Sequence, residues 1–180
     1  MTPLYIFDLD GTLALIEHRR HLVEYRDCAH CGGSGKTLNV GAGDGTCQHC
    51  NGTGRLAPDW KAFFAACVDD SPNWPVISTM NALLKSGADV QIWSGRSAEV
   101  MNETLAWLQR FFVVDAEEVG LCMRREGDFT PDEVLKRSWL DALNEYDRRR
   151  LVAVFDDRQK VVDMWRSQGV ACFQVAPGDF

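Results

Sequence analysis

Near the N-terminus, Asp8-Leu9-Asp10-Gly11-Thr12 follows directly on the apolar run Leu4–Phe7. Two carboxylates two residues apart share one side of the chain if extended geometry persists through Asp10. Gly11 permits a turn or a close approach to a ligand, and Thr12 adds a hydroxyl. Acids this close repel each other, so the pair calls for a cation or a shared proton. Polar groups recur wherever a later apolar run ends: Ser94-Gly95-Arg96 after 89–93, Arg124-Arg125 after 119–123, and Asp156-Asp157 after 151–155. Lys136 follows Asp132 by four residues, which sets the two on one helix face. Each group alone reads equally well as a surface ion pair. Four carboxylates, a hydroxyl, a lysine and an arginine at the strand exits of one sheet form a set.

The composition of that set indicates its chemistry. With no histidine at any strand exit, the acids favour a hard divalent cation held through oxygen, Mg²⁺ rather than zinc. Arginine, lysine, a serine hydroxyl and backbone N–H groups suit a phosphoryl group. A carboxylate can act as nucleophile and form an aspartyl-phosphate. Hydrolysis of a phosphate monoester needs accelerations up to ~10²¹, so positioning, metal charge and hydrogen-bond donors must act together.

Positioning such a set is the work of the surrounding elements. The run Leu4–Phe7 is apolar without alternation, as in a parallel sheet covered on both faces. Asp59 can cap a helix to 68 with Trp60, Phe63, Phe64 and Cys67 on one face. Helices are expected over 76–85, ending at Gly87, and over 99–112. A further helix starts at Thr130-Pro131-Asp132-Glu133, with Thr130 as N-cap, and runs to about 146. Strands are expected at 89–93, 119–123, 151–155 and 170–175, with a last helix ending before Gly169. Strands alternating with helices predict a doubly wound α/β fold with a parallel sheet, whose ligands bind at the carboxyl ends of the strands.

Residues 27–55 differ in character, being rich in Gly, Ser, Thr, Asn and Cys and poor in large apolar side chains, so they cannot build a hydrophobic core of their own. They hold two copies of Cys-x-x-Cys-x-Gly-x-Gly, from Cys28 and Cys31 and from Cys47 and Cys50, with fifteen residues between the pairs. This is a four-cysteine Zn²⁺ signature, with His30 and His49 as bystanders. It resembles the cysteine-rich repeats of DnaJ-type chaperones. The expected organisation is a core of 1–26 and 57–180, with a short helical cap segment, and a zinc-binding insertion of 27–56. Whether the insertion screens substrate or only staples a segment without a core stays open at this level. Cys67, Cys122 and Cys172 lie singly in apolar segments and read as small core residues.

The chain has 180 residues, 46% hydrophobic and 25% charged, with a net charge of −7. That balance argues against a non-specific nucleic-acid coat, whose affinity comes mostly from phosphate neutralisation. No apolar run approaches the ~20 residues of a membrane span, and the first residues carry no secretory signal, so a cytoplasmic protein is expected.

Taken together, these motifs resemble the haloacid dehalogenase superfamily of phosphatases: Asp8 to Thr12 the first motif, Ser94 the second, Lys136 the third, and Asp156-Asp157 the fourth. The stretches Ser94-Gly95-Arg96, Arg125-Glu126-Gly127-Asp128, Asp132 to Lys136 and Phe155 to Phe180 are similar to the 3′-phosphatase domain of bacteriophage polynucleotide kinase. The resemblance implies Asp8 as nucleophile and Asp10 as general acid and base. It implies that Ser94 and Lys136 hold the phosphoryl group, with Thr12 and Gly95 among the phosphate-binding residues. Arg19 and Arg96 would contact substrate phosphate, and Asp132 would orient Lys136. Mg²⁺ would sit on Asp8, Asp156, Asp157 and the Asp10 carbonyl. No Gly-x-x-x-x-Gly-Lys-Ser/Thr occurs, so no kinase domain is expected in this chain. The implied activity is Mg²⁺-dependent removal of phosphate from a nucleic-acid 3′ end. The alternatives are the same chemistry on a free nucleotide or small metabolite, and a non-catalytic zinc-dependent binding module.

Overall fold

The structure, a computed structural model, describes residues 1–37, 45–115 and 119–178. The chain divides into two compact units, one of Met1–Ile16 with Cys67–Phe180 and one of Glu17–Ala66.

In the first unit, β1 (Leu4–Phe7) is followed by the short β2 (Ala14–Leu15). The second unit carries α1 (Glu17–Arg20), β3 (Arg26–Asp27), β4 (Arg55–Leu56) and α2 (Trp60–Ala65). The first unit resumes with β5 (Ser71–Pro72), α3 (Trp74–Lys85), β6 (Asp89–Ser97), α4 (Met101–Gln109) and β7 (Gly120–Arg124). It closes with α5 (Asp132–Ala142), α6 (Glu145–Arg150), β8 (Leu151–Arg158), α7 (Gln159–Ser167) and β9 (Cys172–Gly178). Antiparallel pairing of β2 with β5 brings together the two ends of the excursion.

Five strands form the expected parallel sheet in the order β7-β6-β1-β8-β9. β1 lies in the middle, and its last residue Phe7 is level with Ile92 of β6 and Phe155 of β8. That register sets Asp8, the 94–96 stretch of β6 and Asp156 side by side. Strand side chains alternate, so Ile6 and Phe7 serve opposite layers. Phe7 and Ile92 pack with Ile77 and Met80 of α3 and Trp107 and Leu108 of α4. Ile6 and Val154 pack with Leu140 of α5 and Val161 and Trp165 of α7. Both layers exclude water from the sheet, each buried large apolar side chain contributing roughly 1.5–3 kcal/mol. Among the described residues, no helix is long and apolar enough to cross a membrane.

Several boundaries differ from the sequence expectation, three of them near or leading into the site. Thr130 does not cap α5; its N–H bonds to the Asp128 carboxylate and its carbonyl accepts from Arg124, so Pro131 stands at the N-cap and the helix opens at Asp132. The helix expected through 146 stops at Ala142, because Leu143 is extended and Asn144 caps α6 through the Asp147 N–H at 2.9 Å. β6 runs on to Ser97, with an irregular register to β7 between Ser94 and Ser97.

The second unit is held differently. β3 and β4 pair antiparallel, the Asp59 N–H bonds to the Leu22 carbonyl, and the Asp59 side chain caps α2 through the Ala62 N–H. Its buried cluster is Cys28, Cys47 and Cys50, with Cys31 and Leu56 against it. The two cysteine motifs mirror each other. Cys28 N–H bonds to the Gly54 carbonyl and Cys47 N–H to that of Gly35, while Ser34 and Thr53 hydroxyls bridge equivalent carbonyls. Gly35 and Gly54 have positive φ, and a Cβ on either would lie about 2 Å from a carbonyl oxygen of the opposite motif.

Candidate active site

Asp8 extends the central ladder, its N–H bonding to the Phe155 carbonyl at 2.9 Å. Its carboxylate accepts from Lys136 Nζ at 2.5 Å, and the same ammonium donates to Asp156 Oδ2 at 2.8 Å. All three side chains are buried, as is Asp157. Asp8, Asp156 and Asp157 each offer an oxygen, all within 4.8 Å of one another. Burial, then repulsion from Asp156 and Asp157, pushes the Asp8 carboxyl well above its ordinary pKa in spite of Lys136. Burial and Asp156 push Asp157 up to about 6. For Lys136, burial opposes the charge, but Asp156 and Asp8 outweigh it and its pKa is raised. Three buried carboxylates facing one ammonium leave negative charge in excess. The strain is what a divalent cation on hard oxygen donors relieves.

The loop after β1 completes this cluster. Thr12 Oγ1 donates to Asp157 Oδ1 at 3.3 Å. Gly11 has φ +86°, and a Cβ there would fall 2.2 Å from Asp157 Oδ2, so the loop closes on Asp157 only with glycine.

Asp10 belongs to a second constellation. Its Oδ1 accepts from Arg96 Nη2 and from Nε at 3.1 Å. The same Nη2 donates to Asp70 Oδ2 at 2.8 Å, and Nη1 to Thr104 Oγ1 at 3.1 Å. Arg96 is fully buried; burial disfavours its charge, but Asp10 reverses the balance and raises its pKa. Ser94, also fully buried, accepts the Arg96 N–H at 3.1 Å. Asp10 retains a partly exposed carboxylate with one oxygen fixed by a guanidinium.

Asp132 lies beside Gly95, whose added Cβ would fall 2.5 Å from Asp132 Oδ1. Its direct partners are Arg124 and Arg158, the latter at 2.5 Å, whereas Lys136 feels it as a nearby charge. Arg19 lies in the second unit, buried, with its guanidinium 4.1 Å over the Phe63 ring and Nη1 on the Phe63 carbonyl at 3.2 Å. The first unit thus brings together Asp8, Asp10, Thr12, Ser94, Gly95, Arg96, Asp132, Lys136, Asp156 and Asp157. Sequence reasoning missed Asp70, Thr104 and Arg158. Thr104 carried a signal: it is a polar residue on the apolar stripe of Val100, Trp107 and Leu108.

Lys136 yields a direct test of the excess charge. Lys136→Met removes the ammonium that pairs with Asp8 and Asp156 and should cost about 3 kcal/mol or more. We expect a lower thermal midpoint in chelator than for the unaltered chain, and a larger upward shift on adding Mg²⁺, since bound ions stabilise by mass action. Equal Mg²⁺ shifts for the two proteins would show that the ion does not read this cluster.

In the second unit the sulfurs of Cys28 and Cys47 lie 3.9 Å apart and those of Cys31 and Cys50 3.8 Å. Tetrahedral Zn–S bonds of about 2.3 Å separate sulfurs by about 3.8 Å, while a disulfide needs about 2.04 Å. All four are free thiols, and Gly54 N–H points to the Cys50 sulfur at 3.3 Å. The group is shaped to hold a metal ion.

A family model described as the polynucleotide kinase PNKP phosphatase domain matches residues 43–180. A protein of Autographa californica nuclear polyhedrosis virus, described as a bifunctional polynucleotide kinase/RNA ligase, is 37% identical over 81 residues, 44% of this chain and 11% of its own length. Among solved structures, a chain of the Pnkp1/Rnl/Hen1 complex superposes with a TM-score of 0.64 at 24% identity over 99% of this chain and 48% of its own. CbbY from Rhodobacter sphaeroides superposes at 0.55 with 17% identity, over 100% and 88% respectively. The chain therefore spans about a tenth of the viral relative and about half of the repair-complex chain; these structural likenesses concern the fold.

Proposed function

The chain belongs to the polynucleotide kinase phosphatase-domain family, and from that premise we propose that this phosphatase removes the 3′-phosphate from nucleic-acid ends through a phosphorylated Asp8. The observation that carries the reading is the unequal treatment of the first two acids. Asp8 is buried against Lys136 on the sheet axis, while Asp10 is partly exposed and clamped by Arg96.

In the first step an Asp8 oxygen attacks phosphorus, the bond to the 3′ oxygen breaks, and Asp10 as the acid protonates that leaving oxygen. In the second step Asp10 as base takes a proton from water, whose oxygen attacks phosphorus and releases Asp8 and inorganic phosphate. Lys136 balances charge on Asp8, and the Ser94 hydroxyl, the backbone around Gly95 and Thr12 hold the phosphoryl oxygens. Arg96 fixes Asp10, Asp132 fixes Arg124 and Arg158 beside Gly95, and Arg19 is assigned to substrate phosphate. Asp8, Asp156, Asp157 and the Asp10 carbonyl would hold Mg²⁺, which supplies positive charge against the phosphoryl oxygens and the crowded carboxylates. Cys28, Cys31, Cys47 and Cys50 would hold a structural Zn²⁺ in the insertion, taken as 27–56 between core segments 1–26 and 57–180. Four thiolates held on zinc would suit a reducing, cytoplasmic setting.

The net charge of −7 favours a second reading, a small phosphorylated substrate such as a free nucleotide. Phosphate release from a 3′-phosphorylated oligonucleotide, a 5′-phosphorylated one, and nucleoside 3′- and 5′-monophosphates separates the two, with and without Mg²⁺. We expect Mg²⁺-dependent release from the 3′-phosphorylated oligonucleotide above all others. Release from the mononucleotides alone would sink the polynucleotide reading.

A further inference from the structure

Among the described residues, Phe129 is the most exposed large apolar side chain, at 84%. It lies between β7 and α5 on a loop that is firmly braced. Arg124 Nη1 donates to the carbonyls of both neighbours, Thr130 at 2.5 Å and Asp128 at 3.4 Å. The Asp128 carboxylate takes the Thr130 N–H at 2.8 Å, its N–H closes a turn onto the Arg125 carbonyl, and Gly127 takes φ +72°. Pro131 then fixes the backbone entering α5. A phenyl ring held in water by this many restraints contributes nothing to the core.

The same braces tie the loop to the active site. Arg124 Nε donates to the Gly95 carbonyl at 2.7 Å, and Nη2 pairs with Asp132. Gly95 follows Ser94, and Asp132 opens the helix that carries Lys136 to Asp8. Asp132 is three positions after Phe129, so their Cα atoms are no more than about 11 Å apart. Arg125, also exposed, stands in the same loop. A molecule that puts a phosphate on Asp8 and reaches Phe129 gains most there from a flat, uncharged π-face, on an anionic backbone that Arg125 can meet. A nucleotide strand has that form, and base–aromatic stacking is tolerant of base identity.

We propose that Phe129 stacks against a nucleobase at or next to the phosphorylated end, and so sets a preference for ends that carry a base there. The inference rests on the 3′-end reading above. The test compares 3′-phosphorylated oligonucleotides that differ only in an abasic sugar at one of the last two positions. For the unaltered chain, Phe129→Ala and Phe129→Tyr, the quantity read is kcat/KM with the base over kcat/KM without it. Phe129→Ala should lower that ratio about tenfold at one of the two positions, mainly through KM, and Phe129→Tyr should restore it. A ratio unchanged in Phe129→Ala, or an equal loss on both ends, overturns the stacking role while the 3′-end reading stands. If the unaltered chain releases phosphate from neither oligonucleotide, the 3′-end reading fails and the stacking role falls with it.

Discussion

Asp8→Asn is expected to reduce phosphate release by at least about 10⁴-fold, the size of loss seen when a nucleophile that works as part of a unit is removed. The change is nearly isosteric and keeps an oxygen that can accept from Lys136, so packing around β1 should persist. It also takes one negative charge from a buried cluster in which burial and two neighbouring carboxylates already disfavour ionised Asp8. The thermal midpoint should therefore hold or rise while activity vanishes, a combination that unfolding cannot mimic. Acid-quenched single turnovers should find phosphate on the unaltered protein and none on the variant. A variant that kept activity within about tenfold would assign the nucleophile elsewhere.

The fold was readable because its signals are local and repeated. Apolar runs without alternation, each ending in a polar group and followed by an amphipathic stretch, describe a parallel sheet with both faces covered. What failed were places where a hydrogen bond to one particular side chain overrode the helical pattern. Thr130 has the composition of a helix cap, yet Asp128 and Arg124 take its backbone groups first. Asn144 is itself a good cap, and it divides what helical periodicity joined. The expected strand ends at 93, but β6 continues through Ser97, with Ser94 and Arg96 fully buried.

The site divides along the same line. Asp8, Asp10, Ser94, Arg96, Asp156 and Asp157 stand at the carboxyl ends of strands, and Lys136 in the early turns of α5, where residue type and position draw attention to them. Asp70 and Thr104 touch Arg96 from segments that carry no motif, and a residue defined only by its partner's reach has no signature in a linear pattern. Asp132 is intermediate. Its spacing to Lys136 is right for a pair, yet its carboxylate turns to Arg124 and Arg158, since a helix face offers neighbours without choosing among them.

Cys28→Ser tests the other unit, where the expected effect is on structure. Among the described residues, the cluster there consists of the sulfurs with Leu56 packed against them. Structural zinc in small domains contributes about 10–16 kcal/mol, far beyond what a segment this poor in apolar residues can supply. Losing one of four thiolates should therefore release the metal and open 27–56, seen as a fall from one zinc per chain and as new protease cuts confined to that stretch. Trp60, Phe63 and Phe64 pack on one another, and Arg19 on Phe63, independently of the sulfurs, so α2 should survive. Asp8, Asp10, Lys136, Asp156 and Asp157 all belong to the first unit, so turnover of a small phosphate ester should persist in the variant and after chelation at constant Mg²⁺. Full zinc content in Cys28→Ser would show that the metal does not depend on this thiolate. Lost turnover of the small ester with both units still folded would give the metal a part in the chemistry, because a staple can fail only by letting its segment go.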